Sequence, residues 1–391
     1  MVKQHVEEVA KTSTAAKGGP LRPVEEITPP EILARLRSGV LGQDHALRFV
    51  SVAIYKHVTG KVPGNIVLIG NSGTGKTTIM NNIQRLYNEV LEYHPFRAMA
   101  IINANLLVDS DRLEFRPDRL LTAVEQRARV VIGHLPTAAE LKQTMERATI
   151  CIDEIDKMSS VIAGKPNPIG VALQQGLLTL MEGNTIPIHS HVDVGGEEKP
   201  VTLEIDTGGM MFICGGAFEG LYDQVFLRVT NPGSGEKLKS VPTFSADGKV
   251  TIEMRFSLAD YFKIEDLFTY GMVPQFVARF DNVVLLSELG VDVLKEILLM
   301  AHDSPFVRSR RYLDVMGISL DIEDLAAALV AEQAEKHSRT GARALRTIFS
   351  KIINPIEYDP PSAGSLEDEG NGRKRLQITA EMVRRALAKP S

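Results

Sequence analysis

The chain has no tryptophan, and only 6% of its residues are aromatic. That speaks against a stacking platform for single-stranded nucleic acid. It has two cysteines in 391 residues, too few for a disulfide framework or a four-cysteine zinc site. Cys151 and Cys214 both lie in apolar runs. They read as buried, reduced thiols, with the cytoplasm as the expected setting. Charge of one sign does not dominate: 44 Lys and Arg face 49 Asp and Glu, a net charge of −5. Neither nucleic acid nor an anionic membrane is therefore an expected partner. No apolar run reaches the roughly 18 residues of a membrane span. Residues 1–17 lack the apolar stretch of a secretory signal.

What is present suits a soluble globular protein. Apolar residues make up 44% and charged residues 24%, enough for a sizeable core. The length predicts two or three domains at about 150 residues each. Residues 1–27 read as a disordered tail. Order is expected from Thr28, with Thr28 capping a helix that has Pro29 in its first turn and Glu31 three residues on. A second helix is expected over 43–57. Apolar runs at 65–69, 98–102, 149–152 and 210–214 alternate with helix-compatible stretches such as 77–89 and 119–129. This alternation predicts an α/β fold, a parallel sheet covered on both faces. After about residue 285 helical patterns dominate, at 291–301, 321–337, 341–353 and 379–387. The domains are thus a tail (1–27), a large domain (28–286) and a small, mostly helical domain (287–391). Ala246-Asp247-Gly248-Lys249 reads as a hairpin tip.

The strongest chemical signal is Gly70-Asn71-Ser72-Gly73-Thr74-Gly75-Lys76-Thr77, followed by Thr78. It fits G-x-x-x-x-G-K-[ST] between a strand and a helix. Glycines let backbone N–H groups turn inward as an anion nest, and the following helix aims its positive end at phosphates. Lys76 supplies a point charge, and the Thr77 hydroxyl is a Mg²⁺ ligand. The second signal is Ile150-Cys151-Ile152-Asp153-Glu154-Ile155-Asp156, a strand ending in adjacent carboxylates. Asp153 is the candidate Mg²⁺ holder, and Glu154 the candidate base that polarises water. A glutamate beside the aspartate favours ATP hydrolysis over simple nucleotide holding.

These residues resemble the ClpX family of AAA+ ATPases, rings that unfold proteins for the peptidase ClpP, with HslU more distant. The resemblance runs from about residue 29 to 362. Beyond the two nucleotide motifs it includes Val40-Leu41-Gly42-Gln43, Gln174-Gln175-Gly176-Leu177-Leu178 with Met181-Glu182-Gly183, and Phe212-Ile213-Cys214-Gly215-Gly216-Ala217-Phe218. It also includes Met272-Val273-Pro274-Gln275-Phe276-Val277-Ala278-Arg279 and Thr340-Gly341-Ala342-Arg343. The resemblance implies an AAA+ sheet domain followed by a small lid domain. It implies that Val40 and Leu41 line an adenine pocket. Arg279 would be an arginine finger reaching the γ-phosphate of a neighbouring subunit, and Arg343 a sensor-2 arginine. A residue acting in trans implies a closed head-to-tail ring, six subunits by the resemblance. The strand ending at Cys214 would be the sensor-1 strand, with no polar residue to assign.

Three departures stand out. The family's four-cysteine zinc domain is not present. The aromatic pore loop Gly-Tyr-Val-Gly has no counterpart: the closest register places Arg112-Leu113 there, with Phe115 either a core residue or a pore residue. The Ile/Leu-Gly-Phe peptidase-docking tripeptide does not occur between Leu221 and Leu267. The expected activity is thus ATP-driven protein unfolding or remodelling of an unknown client, without a ClpP-type peptidase. A nucleotide-switched scaffold and a DNA-associated motor are the alternatives. His189-Ser190-His191 reads as a solvated loop pair rather than a metal site, and Arg308-Ser309-Arg310-Arg311 as a solvated face.

Overall fold

The computed structural model describes residues 22–61, 64–109, 114–115, 117–236, 238–244, 250–337, 340–363, 366–370 and 372–388. Its centre is a five-stranded, all-parallel sheet. The strands are β1 (Ile66–Ile69), β2 (Met99–Asn103), β3 (Thr149–Asp153), β4 (Met211–Gly216) and β5 (Asn282–Leu285). They lie in the order β5-β1-β4-β3-β2. Successive strand residues point to opposite faces, and here both faces are buried. Ile66, Leu68, Cys151 and Ile213 enter one core cluster. Val67, Ile69, Ile152 and Cys214 enter the other. Two-sided burial is why these strands read as unbroken apolar runs.

Helices α1 (Pro29–Arg37), α2 (Asp44–Val58) and α3 (Lys76–Glu89) cover the first face. Helices α4 (Pro117–Ile132), α5 (Ala138–Glu146), α6 (Pro168–Met181) and α7 (Leu221–Thr230) cover the second. Residues from Leu289 onward bury their side chains in a third cluster. It is built from α8 (Val291–Met300), α9 (Pro305–Val315), α10 (Asp324–Glu335), α11 (Arg343–Tyr358) and α12 (Ala380–Ala388).

The structure differs from the sequence reading at several places. Order is present before Thr28: Val24–Glu26 form a helical turn, and Ile27 is 1% exposed, anchored in the core of the first face. Helix α1 begins at Pro29 as expected, yet the Thr28 hydroxyl makes no cap bond, and Glu31 pairs with Arg22 instead. The small helical region also holds a three-stranded sheet of Ile318–Ile322, Arg373–Ile378 and Glu367–Gly370. Residues 189–191 lie in a long hairpin, Thr185–Val194 paired with Glu197–Asp206, rather than a loop. Alternation there puts His189 and His191 on the exposed face, while Ser190 and Val192 pack inward. Among the described residues no cluster of metal-ligating side chains occurs, and no helix is long and apolar enough to cross a membrane.

Of the unusual segments, Glu114–Phe115 pairs with Val108–Asp109, while Arg112-Leu113 lies outside the described residues. Lys239–Phe244 and Val250–Arg255 form an antiparallel pair, and the tip proposed at 246–249 lies outside as well.

Candidate functional site

Parallel strands bring all their C-terminal ends to one edge of the sheet, where loops can converge on a ligand. The glycine-rich loop leaves β1 there and enters α3 at Lys76. Gly73 has φ +77°, a conformation open to glycine at no steric penalty. A Cβ on Gly73 would also sit 2.3 Å from the Thr340 carbonyl oxygen. The facing residue is Gly341, whose own Cβ would meet the Gly73 backbone at 2.7 Å. The loop is thus pressed against the start of α11, and the Ala342 N–H donates to the Gly73 carbonyl at 3.1 Å.

The Lys76 ammonium folds back onto the loop, donating to the carbonyls of Gly70 and Asn71. Burial pulls its pKa below the ordinary lysine value, opposed by the nearby Asp153 and Asp156 carboxylates and reinforced by Arg343. The Thr77 hydroxyl donates to Asp153 Oδ2 at 2.7 Å, so α3 and β3 bring together an all-oxygen pair. Such hard donors suit Mg²⁺. Thr78 lies exposed on the first turn of α3. Glu154 follows at the end of β3 with φ +62°. For a non-glycine residue this is a strained backbone of the kind found at working sites. Its N–H donates to Asp153 Oδ1 at 2.9 Å.

Three contributors had no role assigned from the sequence. Asn105, just past β2, donates from Nδ2 to Glu154 Oε2 at 3.2 Å and holds the carboxylate. The Asn105 N–H in turn donates to Asn103 Oδ1. Asp156 is buried, and its Oδ1 accepts from the Ala217 N–H at 3.1 Å. Strand β4 itself arrives with glycine: a Cβ on Gly215 would lie 3.4 Å from Asp153 Oδ1. Gln43 is 1% exposed and joins three segments. Its Nε2 donates to the carbonyls of Thr74 and Ser287, and its Oε1 accepts from the Ser287 N–H, all at 2.8–3.0 Å. Gln43→Ala would strand the buried Thr74 carbonyl and the part-buried N–H and carbonyl of Ser287. A loss of about 2–4 kcal/mol is expected in denaturant unfolding, with weakened nucleotide binding.

A cleft of about 580 Å³ opens beside this bridge, lined by Val40, Leu41, His45, Ser287 and Glu296 among others. Val40 and Leu41, which the resemblance assigns to an adenine pocket, are thus two of the residues on the wall of this cleft. Arg343 begins α11 and donates to the Ser72 hydroxyl, so it too reaches the loop.

Arg279 does not. It precedes β5, whose Asn282 pairs with Ile66 and whose Leu285 pairs with Ile69. Arg279 is therefore beyond the N-terminal end of β1, while the glycine loop leaves the other end, about 13 Å of strand away. Its guanidinium is half exposed and pairs with Glu182 at 2.5 Å.

Comparison with known proteins places the chain in a family. A family model described as "AAA domain (Cdc48 subfamily)" matches residues 61–283. The chain is similar to the "ATP-dependent Clp protease ATP-binding subunit ClpX" of Bacteroides thetaiotaomicron, 28% identical over 92% of this chain and 82% of that one. The protein of the same name from Bacteroides fragilis is 27% identical over the same shares. The parallel sheet, the loop at Lys76 and these matches together identify the chain as a member of the AAA family, a ClpX-like AAA+ ATPase.

Proposed function

We propose that this ATPase unfolds or remodels client proteins as a closed head-to-tail ring, six subunits by likeness to its relatives, and works without a ClpP-type peptidase. The observation that carries the ring is the separation of Arg279 from Lys76 and Asp153 on opposite edges of one sheet. A complete site then needs two copies. In that site the loop N–H groups and Lys76 hold the β- and γ-phosphates, Lys76 leaving the carbonyls of Gly70 and Asn71 to do so. Thr77 and Asp153 would hold Mg²⁺, which supplies charge neutralisation on the phosphates. Glu154 takes the proton from the attacking water, its carboxylate oriented by Asn105. Arg279 of the neighbouring copy meets the charge that spreads over the transferred phosphoryl group. Arg343, fixed to Ser72, would couple nucleotide state to the angle of the domain from residue 287 onward, a hinge-type motion. The sequence difference at Asp109-Ser110-Asp111-Arg112-Leu113-Glu114-Phe115 favours a second reading, a nucleotide-switched scaffold with little threading.

The test is client capture. Glu154→Gln protein would be held in the ATP state in cells and its bound proteins identified against a Lys76→Ala control. Bound polypeptides specific to Glu154→Gln, together with ATP turnover that rises with those clients, are expected. Turnover indifferent to every captured protein would favour the scaffold.

A further inference from the structure

We propose that Glu182 positions the Arg279 guanidinium for catalysis, an inference that rests on Arg279 acting in trans. The backbones on both sides are fixed. Glu182 ends α6, with its N–H bonded to the Leu178 carbonyl at 3.0 Å. The Arg279 N–H bonds to the Phe276 carbonyl at 3.1 Å, and Phe276 is fully buried. The Arg279 carbonyl accepts from Asn65 Nδ2 at 3.2 Å. The same Asn65 accepts the Phe212 N–H at the start of β4. Only the long side chain of Arg279 is left to be ordered, and Glu182 Oε1 does this by taking one hydrogen bond from Nη2 at 2.5 Å. Arginine carries five N–H donors in a rigid fork. One donor spent on Glu182 leaves the rest of the fork for phosphoryl oxygens. An exposed ion pair contributes little to folding. The consequence of this pair is therefore orientation: a finger already aimed loses less freedom on reaching the transition state.

The experiment compares Glu182→Ala, Glu182→Gln and Arg279→Ala, alone and combined, in the assembled protein. Turnover, affinity for a fluorescent ATP analogue, thermal midpoint and sedimentation are read for each. Glu182→Ala should lower kcat about five- to twentyfold, with analogue affinity, midpoint and assembly unchanged. Glu182→Gln, which keeps an acceptor oxygen, should fall between. The double variant Glu182→Ala/Arg279→Ala should turn over no more slowly than Arg279→Ala alone, because Glu182 acts through the arginine. Unchanged or faster turnover in Glu182→Ala would overturn the proposal, as would an added loss in the double variant or a kcat loss that tracks disassembly. If Arg279→Ala itself retained full turnover, the trans reading would fall first, so the two failures are told apart.

Discussion

Glu154→Gln is expected to bind ATP with near-normal affinity and to hydrolyse it at least about 100-fold more slowly, the scale set by loss of a general base. The side chain keeps its size and can still meet Asn105, so the strained turn at φ +62° should persist. Asp153 and Thr77 stay paired at 2.7 Å, leaving the proposed metal ligands intact. Single-turnover assays after rapid mixing separate binding from chemistry. Slow turnover with weak binding would place Glu154 in nucleotide holding. Unchanged turnover would remove it from catalysis.

Arg279→Ala is expected to have the larger effect. Arginine fingers contribute about 10³–10⁵ in rate. Here the residue lies far from its own chain's loop, so nucleotide affinity should be largely retained. The substitution breaks one ion pair between half-exposed groups, and Phe276 and Phe280 still pack edge-to-face at 5.2 Å. The variant should therefore fold normally. Turnover measured at saturating ATP, with sedimentation to follow assembly, checks this. Assembled rings that hydrolyse ATP at the wild-type rate would exclude the role.

Much of the nucleotide site was legible because its chemistry is local in sequence. The loop from Gly70 to Thr77 and the pair Asp153-Glu154 each need consecutive residues. Four of the five strands were legible, β1 most clearly, because burial on both faces leaves nothing but apolar side chains in Ile66-Val67-Leu68-Ile69; β5, which is only half-buried, was not among the expected runs. Asn105 was not: a single asparagine carries no signal until β2 and β3 are paired, with Asn103 opposite Asp153. Gln43 lay inside a quoted motif, yet its bond to Ser287 spans 244 positions. Glu182 and Arg279 are 97 positions apart and meet only in the fold. The hairpin at 185–206 was missed for another reason. Its alternation was present as Ile186, Ile188, Ser190 and Val192, but the polar and proline residues between them masked it. The small sheet was hidden similarly, since Arg373-Lys374-Arg375 looks like surface charge until Leu376 and Ile378 are seen buried.

The central claim is that one active site is shared by two copies, and mixing inactive subunits tests it most directly. Arg279→Ala chains keep Lys76, Asp153 and Glu154, while Glu154→Gln chains keep Arg279. In rings assembled from an equal mixture, about one interface in four joins an intact loop to an intact finger. The account predicts that the mixture hydrolyses ATP at up to about a quarter of the wild-type rate, although each variant alone is inactive. A mixture that co-assembles, shown by sedimentation of differently tagged chains, and stays as inactive as its components would contradict the shared site.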